Sequence, residues 1–209
     1  GDATDAPTVD KLVADADAVV HAVGLLFDVD SGLKQLNLIV SGSRSTPGEA
    51  STYDRITRLT AFNVIEALKK RIANPFGKKG SVPFAFVSAA EAGWPEVTGG
   101  PAVEKLAPDW LNRYLVAKRA VEAELDPPSV NGKIRPIIYR PSLIWNWQKL
   151  DVLPIIPIFN AASAIGIPFV DKTVRVETLA SAIVAGIEDK LCTGVQRFPE
   201  MEELASRLR

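Results

Sequence analysis

The chain has 209 residues, 47% of them apolar and 23% charged, with a formal net charge of −1, the makeup of an ordinary globular domain with a sizeable core. That balance gives no general electrostatic footing for nucleic acid, although basic residues can still cluster on one face of a neutral protein. A single cysteine, Cys192, excludes an intramolecular disulfide and a thiolate metal cluster, and a single histidine, His21, excludes a histidine-rich metal site.

Residues 1–5 carry neither the basic region nor the apolar run of a signal peptide, and the text reads as starting within a domain. Residues 12–16 read as the end of a helix, with Val9, Leu12 and Val13 facing inward. Residues 18–23 form a short apolar run rich in β-branched side chains, ending at Gly24, the pattern of a buried strand. Residues 27–51 are polar and rich in Gly, Ser and Asp, which predicts a loop with a short strand over 36–40. Thr52 is placed to cap a helix running to residue 71, with Ile56, Leu59, Phe62, Ile65 and Leu68 at helical spacing. Residues 74–81 are a basic, glycine-bearing loop, and 82–89 a second buried strand. Residues 93–108 read as loop. A helix is predicted over 109–125, with Trp110, Tyr114, Ala117, Val121 and Leu125 along one face, stopped by Asp126-Pro127-Pro128.

A third strand spans 134–140 and closes at Pro141. The stretch 152–170 is the most apolar, but Pro154, Pro157, Asn160 and Pro168 break a membrane-spanning helix. A lobe packed on its own core, a segment lying on a membrane surface and one buried in a partner all fit that text. Residues 174–177 are a short strand or turn, and the helix over 178–187 turns Leu179, Ile183, Val184 and Ile187 inward. Cys192 lies near the end of that apolar helix and reads as a small residue near the core. A short helix over 201–209 ends the chain.

Unbroken apolar strands alternating with helices predict an α/β fold, a Rossmann-type doubly wound parallel sheet covered on both faces, with a small C-terminal lobe. The organisation expected is a partial dinucleotide-type domain over residues 1–141, the lobe over 142–175, and helices over 176–209 returning to the core. Ligands of such sheets bind beyond the carboxyl ends of the strands, here residues 22–25, 88–91 and 140–143.

The motif of most interest is Tyr114-Leu115-Val116-Ala117-Lys118. Residues four apart share a helix face, so Lys118 is expected beside the Tyr114 hydroxyl, lowering its pKa and making it an acid/base. An amphipathic helix with a core tyrosine and a snorkelling lysine gives the same text. His21 ends a strand, either touching a ligand or satisfied within the core. Arg140 can hold a phosphate or carboxylate, or form a structural salt bridge. Trp94, Trp110, Trp145 and Trp147 read as packing, with Trp145 and Trp147 also suited to line a pocket for an apolar ring. The basic run Lys69-Lys70-Arg71 with Lys78-Lys79 reads as a solvated helix end or as a surface for a partner or anionic membrane.

In this order and spacing the segments resemble the extended and atypical short-chain dehydrogenase/reductases. Asp17-Ala18-Val19-Val20-His21-Ala22-Val23-Gly24 resembles the family's fourth strand, and Phe84-Ala85-Phe86-Val87-Ser88-Ala89-Ala90 its fifth. Tyr114 and Lys118 match its Tyr-x-x-x-Lys, Tyr139-Arg140-Pro141-Ser142 its Arg-Pro turn, and Val174-Arg175-Val176-Glu177-Thr178-Leu179-Ala180 a turn and helix near its C-terminus. The resemblance is nearest to the nucleotide-binding accessory subunit of mitochondrial complex I and to a fungal mitochondrial protein of coenzyme Q (ubiquinone) biosynthesis with relatives in plants and algae.

It implies NADP or NAD as cofactor, with Asp2, His21, Ala22, Val23, Gly24, Ser88, Tyr114, Lys118, Arg140 and Pro141 as binding residues. It implies Tyr114, Lys118 and, more weakly, Ser88 as catalytic ones. It also implies a mitochondrial setting on the matrix side of the inner membrane, with a plastid as the alternative. Subunits of a large membrane-associated complex and a quinone-like molecule would be the partners, with no nucleic acid and no transmembrane segment. Two departures stand out. The family's glycine-rich loop has no counterpart here; Gly1-Asp2 resembles the end of the third strand, so the first strand–helix–strand portion is expected to lie outside this sequence. The family's catalytic serine or threonine falls on Ala90, which has no hydroxyl, and loss of one such donor costs on the order of a hundredfold or more in rate.

Overall fold

A computed structural model describes residues 1–37, 47–72, 81–126, 130, 132–146 and 156–208. Four strands, β1 (Val19–His21), β2 (Val82–Val87), β3 (Ile134–Tyr139) and β6 (Gly194–Gln196), form one parallel sheet in the order β1-β2-β3-β6. His21 is opposite Phe86, and Val87 opposite Tyr139, so the strands finish close to one level. The expected doubly wound α/β fold is therefore present. Phe84 and Phe86 point into one core, with α1 (Ala6–Val13), α2 (Thr60–Ile72) and α4 (Asp109–Glu124). Ala85 points into the other, against α6 (Val176–Glu188) and α7 (Phe198–Ser206). An unbroken apolar run is what a strand buried on both faces requires.

Local chemistry sets the helix ends. Asp5 caps α1, its carboxylate accepting the Thr8 N–H at 3.1 Å. Thr52 caps as its position predicts, accepting the Arg55 N–H at 3.2 Å. The next six residues, Asp54–Leu59, wind as a π-helix before α2 begins. The wider turn breaks the 3.6-residue register, so Thr57 is buried while Leu59, expected inward, is exposed. Leu12 and Val184 are also exposed, because only one side of α1 and of α6 meets the sheet. At Gly186 an added Cβ would come 2.1 Å from the Tyr139 hydroxyl oxygen, so α6 approaches β3 only where it has no side chain.

Other expectations need correction. Residues 93–108 are not plain loop: they contain the end of a 3-10 segment, Ala90–Glu96, and α3 (Gly100–Lys105). Leu36 ends a 3-10 turn, Lys34–Leu36, rather than opening a strand; residues 38–40 of that expected strand lie outside the described residues. So do Lys78, Lys79, Pro127, Pro128, Trp147 and residues 152–155. Gly1 and Asp2 are not strand: the Asp2 carboxylate accepts the Thr4 N–H at 2.8 Å in an exposed turn. β6 and α5 (Ile156–Ala164) had no clear sequence signal.

In the lobe, β4 (Ile144–Trp145) pairs in parallel with β5 (Val174–Arg175). The Asn160 side chain of α5 accepts from the Thr173 N–H at 3.0 Å. Trp94 Nε1 donates to the Phe169 carbonyl at 3.0 Å, and Arg197 forks onto Asp171, fixing the lobe beside the carboxyl end of β2. Cys192 is buried in the turn between α6 and β6. Among the described residues no helix is long and apolar enough to cross a membrane.

Candidate site at the carboxyl ends of the strands

Helix α4 follows β2 and crosses back toward β3, so its inner face delivers side chains to the ends of both strands. Lys118 is delivered almost fully buried, 4% exposed. Its Nζ donates to the Val87 carbonyl at 2.7 Å and sits 5.0 Å from the centre of the Phe86 ring. A Cβ added to Gly24 would lie 3.5 Å from that nitrogen and 3.9 Å from Thr57 Oγ1. Burial lowers the lysine pKa to about 8. An ammonium has three N–H donors, and one hydrogen bond satisfies only one of them.

The groups around Lys118 are short of partners as well. His21 is 3% exposed; its Nε2 pairs with Thr60 Oγ1 at 2.9 Å, and that hydroxyl donates onward to the Ile56 carbonyl at 2.7 Å. The ring therefore carries its proton on Nε2, and Nδ1 is a buried acceptor without a partner. Burial first, then Lys118, depress the histidine pKa to about 4. Thr57 Oγ1 and Ser88 Oγ are also buried with no partner among the described residues. Such orphans are uncommon in folded proteins and call for an explanation. The adjoining Ala22, Val23 and Gly24 are exposed, an open length of backbone beside this buried polar cluster.

The expected Tyr114–Lys118 pairing is only half present. Both lie on one helix face, but Nζ stands 5.6 Å from the centre of the Tyr114 ring and spends its bond on the sheet. The Tyr114 hydroxyl is pushed up by burial and then by the Glu91 carboxylate and Tyr53, rather than down by the lysine. The phenol is thus a neutral donor, not an activated base. Tyr53 packs edge-on against it with ring centres 5.6 Å apart.

Arg140 is a structural ion pair. Its guanidinium forks onto Glu96 at 2.7 and 2.9 Å and onto Glu122 at 3.1 and 2.7 Å. With four donors used it has no fork to offer a phosphate. The Pro141 carbonyl accepts the Ala90 N–H at 2.9 Å, pinning the position that lacks a hydroxyl. The exposed Asp2 belongs to its own turn. Trp110 meets Phe27 edge-on and Trp145 lies under Arg175, whereas Trp94 is buried. Lys69 pairs with Glu66 and Glu124, and Lys70 with Asp10. Sequence reasoning missed Thr57, Thr60 and Tyr53, whose positions depend on the π-helical turn, and Glu91. Among the described residues no group of three His, Cys, Asp or Glu side chains is placed to hold a metal ion.

No protein-family model matches the chain, and no curated protein matches it. Solved structures do. RMD from Pseudomonas aeruginosa, complexed with NADPH, superposes with a TM-score of 0.56 at 20% identity, over 99% of this chain and 69% of that one. UDP-glucuronic acid 4-epimerase from Bacillus cereus, in complex with NAD, gives 0.51 at 19% identity, over 93% and 58%. The Bordetella bronchiseptica enzyme WbmF, in complex with NAD+, gives 0.51 at 14% identity, over 100% and 61%. At these identities the likeness shows the Rossmann-type fold, and the chain spans less than two thirds of the length of the last two.

Proposed function

We propose that this chain is the larger part of an NAD(P)-binding protein of the short-chain dehydrogenase/reductase type, in which the dinucleotide is mainly a structural ligand and turnover is weak or absent. The observation that carries the reading is the set of buried, under-satisfied polar atoms at the ends of β1 and β2: Lys118 Nζ, His21 Nδ1, Thr57 Oγ1 and Ser88 Oγ. They lie beside the exposed backbone of residues 22–24. Ribose hydroxyls and a carboxamide donate and accept as those atoms need, so the residues fit the nicotinamide end. When bound, NAD(P) supplies a hydride donor or acceptor. Lys118 would hold ribose oxygens, and Tyr114 would offer a neutral phenol to a substrate oxygen. The three neighbours, each described with NADPH or NAD, support the ligand class. The pyrophosphate end needs a glycine-rich loop at a helix N-terminus, which this sequence does not contain.

Weak turnover follows from Ala90, from the raised Tyr114 pKa and from the commitment of Lys118 to Val87. A mitochondrial accessory subunit of complex I type, or a component of a quinone pathway, is the setting we favour. The resemblance supports it, as does a lobe helix with no charged side chain whose Ile158 and nearby Ile165 are exposed, suiting contact with a membrane surface or complex. A second reading, an active NAD(P)H-dependent reductase, is favoured by the retained Tyr114 and Lys118 on one helix face; a third is a nucleotide-free structural subunit. The test is to denature the protein isolated from its natural source and identify any released nucleotide by chromatography and mass. Near-stoichiometric NADP(H) or NAD(H) is expected, and none would leave the third reading in place. An activity lost in Tyr114→Phe would replace the first reading with the second.

A further inference from the structure

A second recess lies on the other side of α4. It is a cleft of about 500 Å³, walled by Asn112, Arg113 and Val116 of that helix, by Tyr53 and Asp54 where the π-helical turn begins, and by Asp28. Clefts of roughly 300–1,000 Å³ are the size that takes small molecules. Residues two apart on a helix point to opposite sides. Lys118 is accordingly buried against the sheet while Val116 is 65% exposed, which separates this cleft from the polar cluster at the strand ends. Its wall is also fixed in advance. The Tyr53 hydroxyl donates to the Leu26 carbonyl at 2.7 Å, and the Val29 N–H to the Ser51 carbonyl at 3.2 Å. The buried Asn37 amide holds both the N–H and the carbonyl of Phe27, whose ring meets Trp110 edge-on. A site held this way loses little freedom when it is filled.

The charge lining the cleft is unbalanced. Asp28, Asp30 and Asp54 stand against Arg58 and Arg113. Arg58 pairs with Asp54 and Arg113 with Asp28, while Asp30 has no ion-pair partner among the described residues. Asp28 is the least satisfied of the three. Its side chain is 3% exposed, yet its carboxylate accepts a single side-chain hydrogen bond, from Arg113 Nη2 at 3.3 Å. Charge-assisted bonds normally measure about 2.7–2.9 Å, and a carboxylate has room for about four. The Arg113 side chain is itself 45% exposed, free to turn aside from so long a contact. Val116, Ala117 and Tyr53 give the same cleft an apolar lining.

We infer that this cleft binds a primary ammonium carried on an apolar or aromatic body, with Asp28 as the anchor and Val116 and Ala117 against the body. A buried carboxylate with one long contact calls for donors, and an ammonium brings three on a compact head. The apolar lining covers the pair from water, which strengthens it. A carboxylate or phosphate in the same place would meet three aspartates, and the two guanidinium groups facing it are already drawn to two of them. The site does not depend on the dinucleotide reading, because it shares neither Lys118, His21, Thr57 nor Ser88 with it.

The experiment titrates the full-length protein with phenethylamine by isothermal calorimetry. Phenethyl alcohol and hydrocinnamate, which keep the ring and replace the ammonium by a hydroxyl or a carboxylate, are titrated in parallel. The amine is expected to bind at least about tenfold more tightly than either analogue. Asp28→Asn should weaken amine binding about tenfold or more, the worth of a hydrogen bond to a charged group. Val116→Trp, at an exposed position that the fold does not rely on, should fill the cleft and block the amine while circular dichroism stays that of the parent. Equal or tighter binding of the alcohol or the carboxylate, no binding of the amine, or amine binding unchanged in Val116→Trp overturns the inference. A dimer in sedimentation that excludes the amine and that Val116→Trp dissociates also overturns it, since the cleft would then belong to a second copy of the chain.

Discussion

Lys118 carries a stability cost that a substitution can expose. In the fold its pKa is about 8 against an ordinary 10.5, with burial the main cause. A lysine whose folded pKa is depressed contributes stability that is present above the unfolded pKa and lost as pH falls through the folded one. At neutral pH the charged side chain therefore costs about 3 kcal/mol. Removing the side chain also takes the donor from the Val87 carbonyl, a loss of about 2 kcal/mol, so Lys118→Met should leave the nucleotide-free protein about 1 kcal/mol more stable at pH 7. Between pH 7 and 9 the parent should regain about 1 kcal/mol relative to the variant as Lys118 discharges. Urea unfolding followed by tryptophan fluorescence at both pH values measures this. The window stops at pH 9 because tyrosines with raised pKa values, Tyr53 at about 12 among them, begin to cost stability above their unfolded value of 10.0. A variant that is less stable at pH 7, or a difference that does not change between pH 7 and 9, would refute the reasoning. On the proposed dinucleotide reading the same variant should also lose retained nucleotide, because two N–H donors of the ammonium are left over after its bond to Val87.

Other predictions concern the groups around it. His21 has a folded pKa of about 4 against 6.5, so its contribution is present above pH 6.5 and lost as pH falls toward 4. Acid unfolding should show about 3 kcal/mol of that loss, absent in His21→Gln. Arg140→Met strands Glu122, whose side chain is 9% exposed. It should destabilise by about 3 kcal/mol or more, and adding Glu122→Gln should recover part of this in the same urea assay.

β1, β2 and β3 were legible because each is a short apolar run between helical patterns, and the α4 face was legible from its spacing. The site was legible only as a list. The Tyr-x-x-x-Lys spacing fixes a shared face, not where a flexible lysine ends, and the Val87 carbonyl claims it. The Arg140 alternatives were separable only once Glu96 and Glu122, 44 and 18 residues away in sequence, were seen on either side of it. The π-helical turn escaped because the pattern around Leu59 satisfies an ordinary helix equally well. β6 is three residues long with one large apolar side chain, too little for a sequence signal.

The sequence by itself determined the layered α/β architecture, since runs of apolar strand residues and helical spacing are local patterns that only a sheet covered on both faces can bury. It also determined that Ala90 has no hydroxyl and that thiolate or histidine-rich metal chemistry is excluded. Tertiary structure alone decided which polar groups are spent and which are left over. Arg140, Arg119 and Arg197 are consumed by carboxylates distant in sequence, while Lys118, His21, Thr57 and Ser88 converge with donors and acceptors unfilled. Hydrogen-bond satisfaction depends on contacts between segments, and no spacing along the chain encodes it.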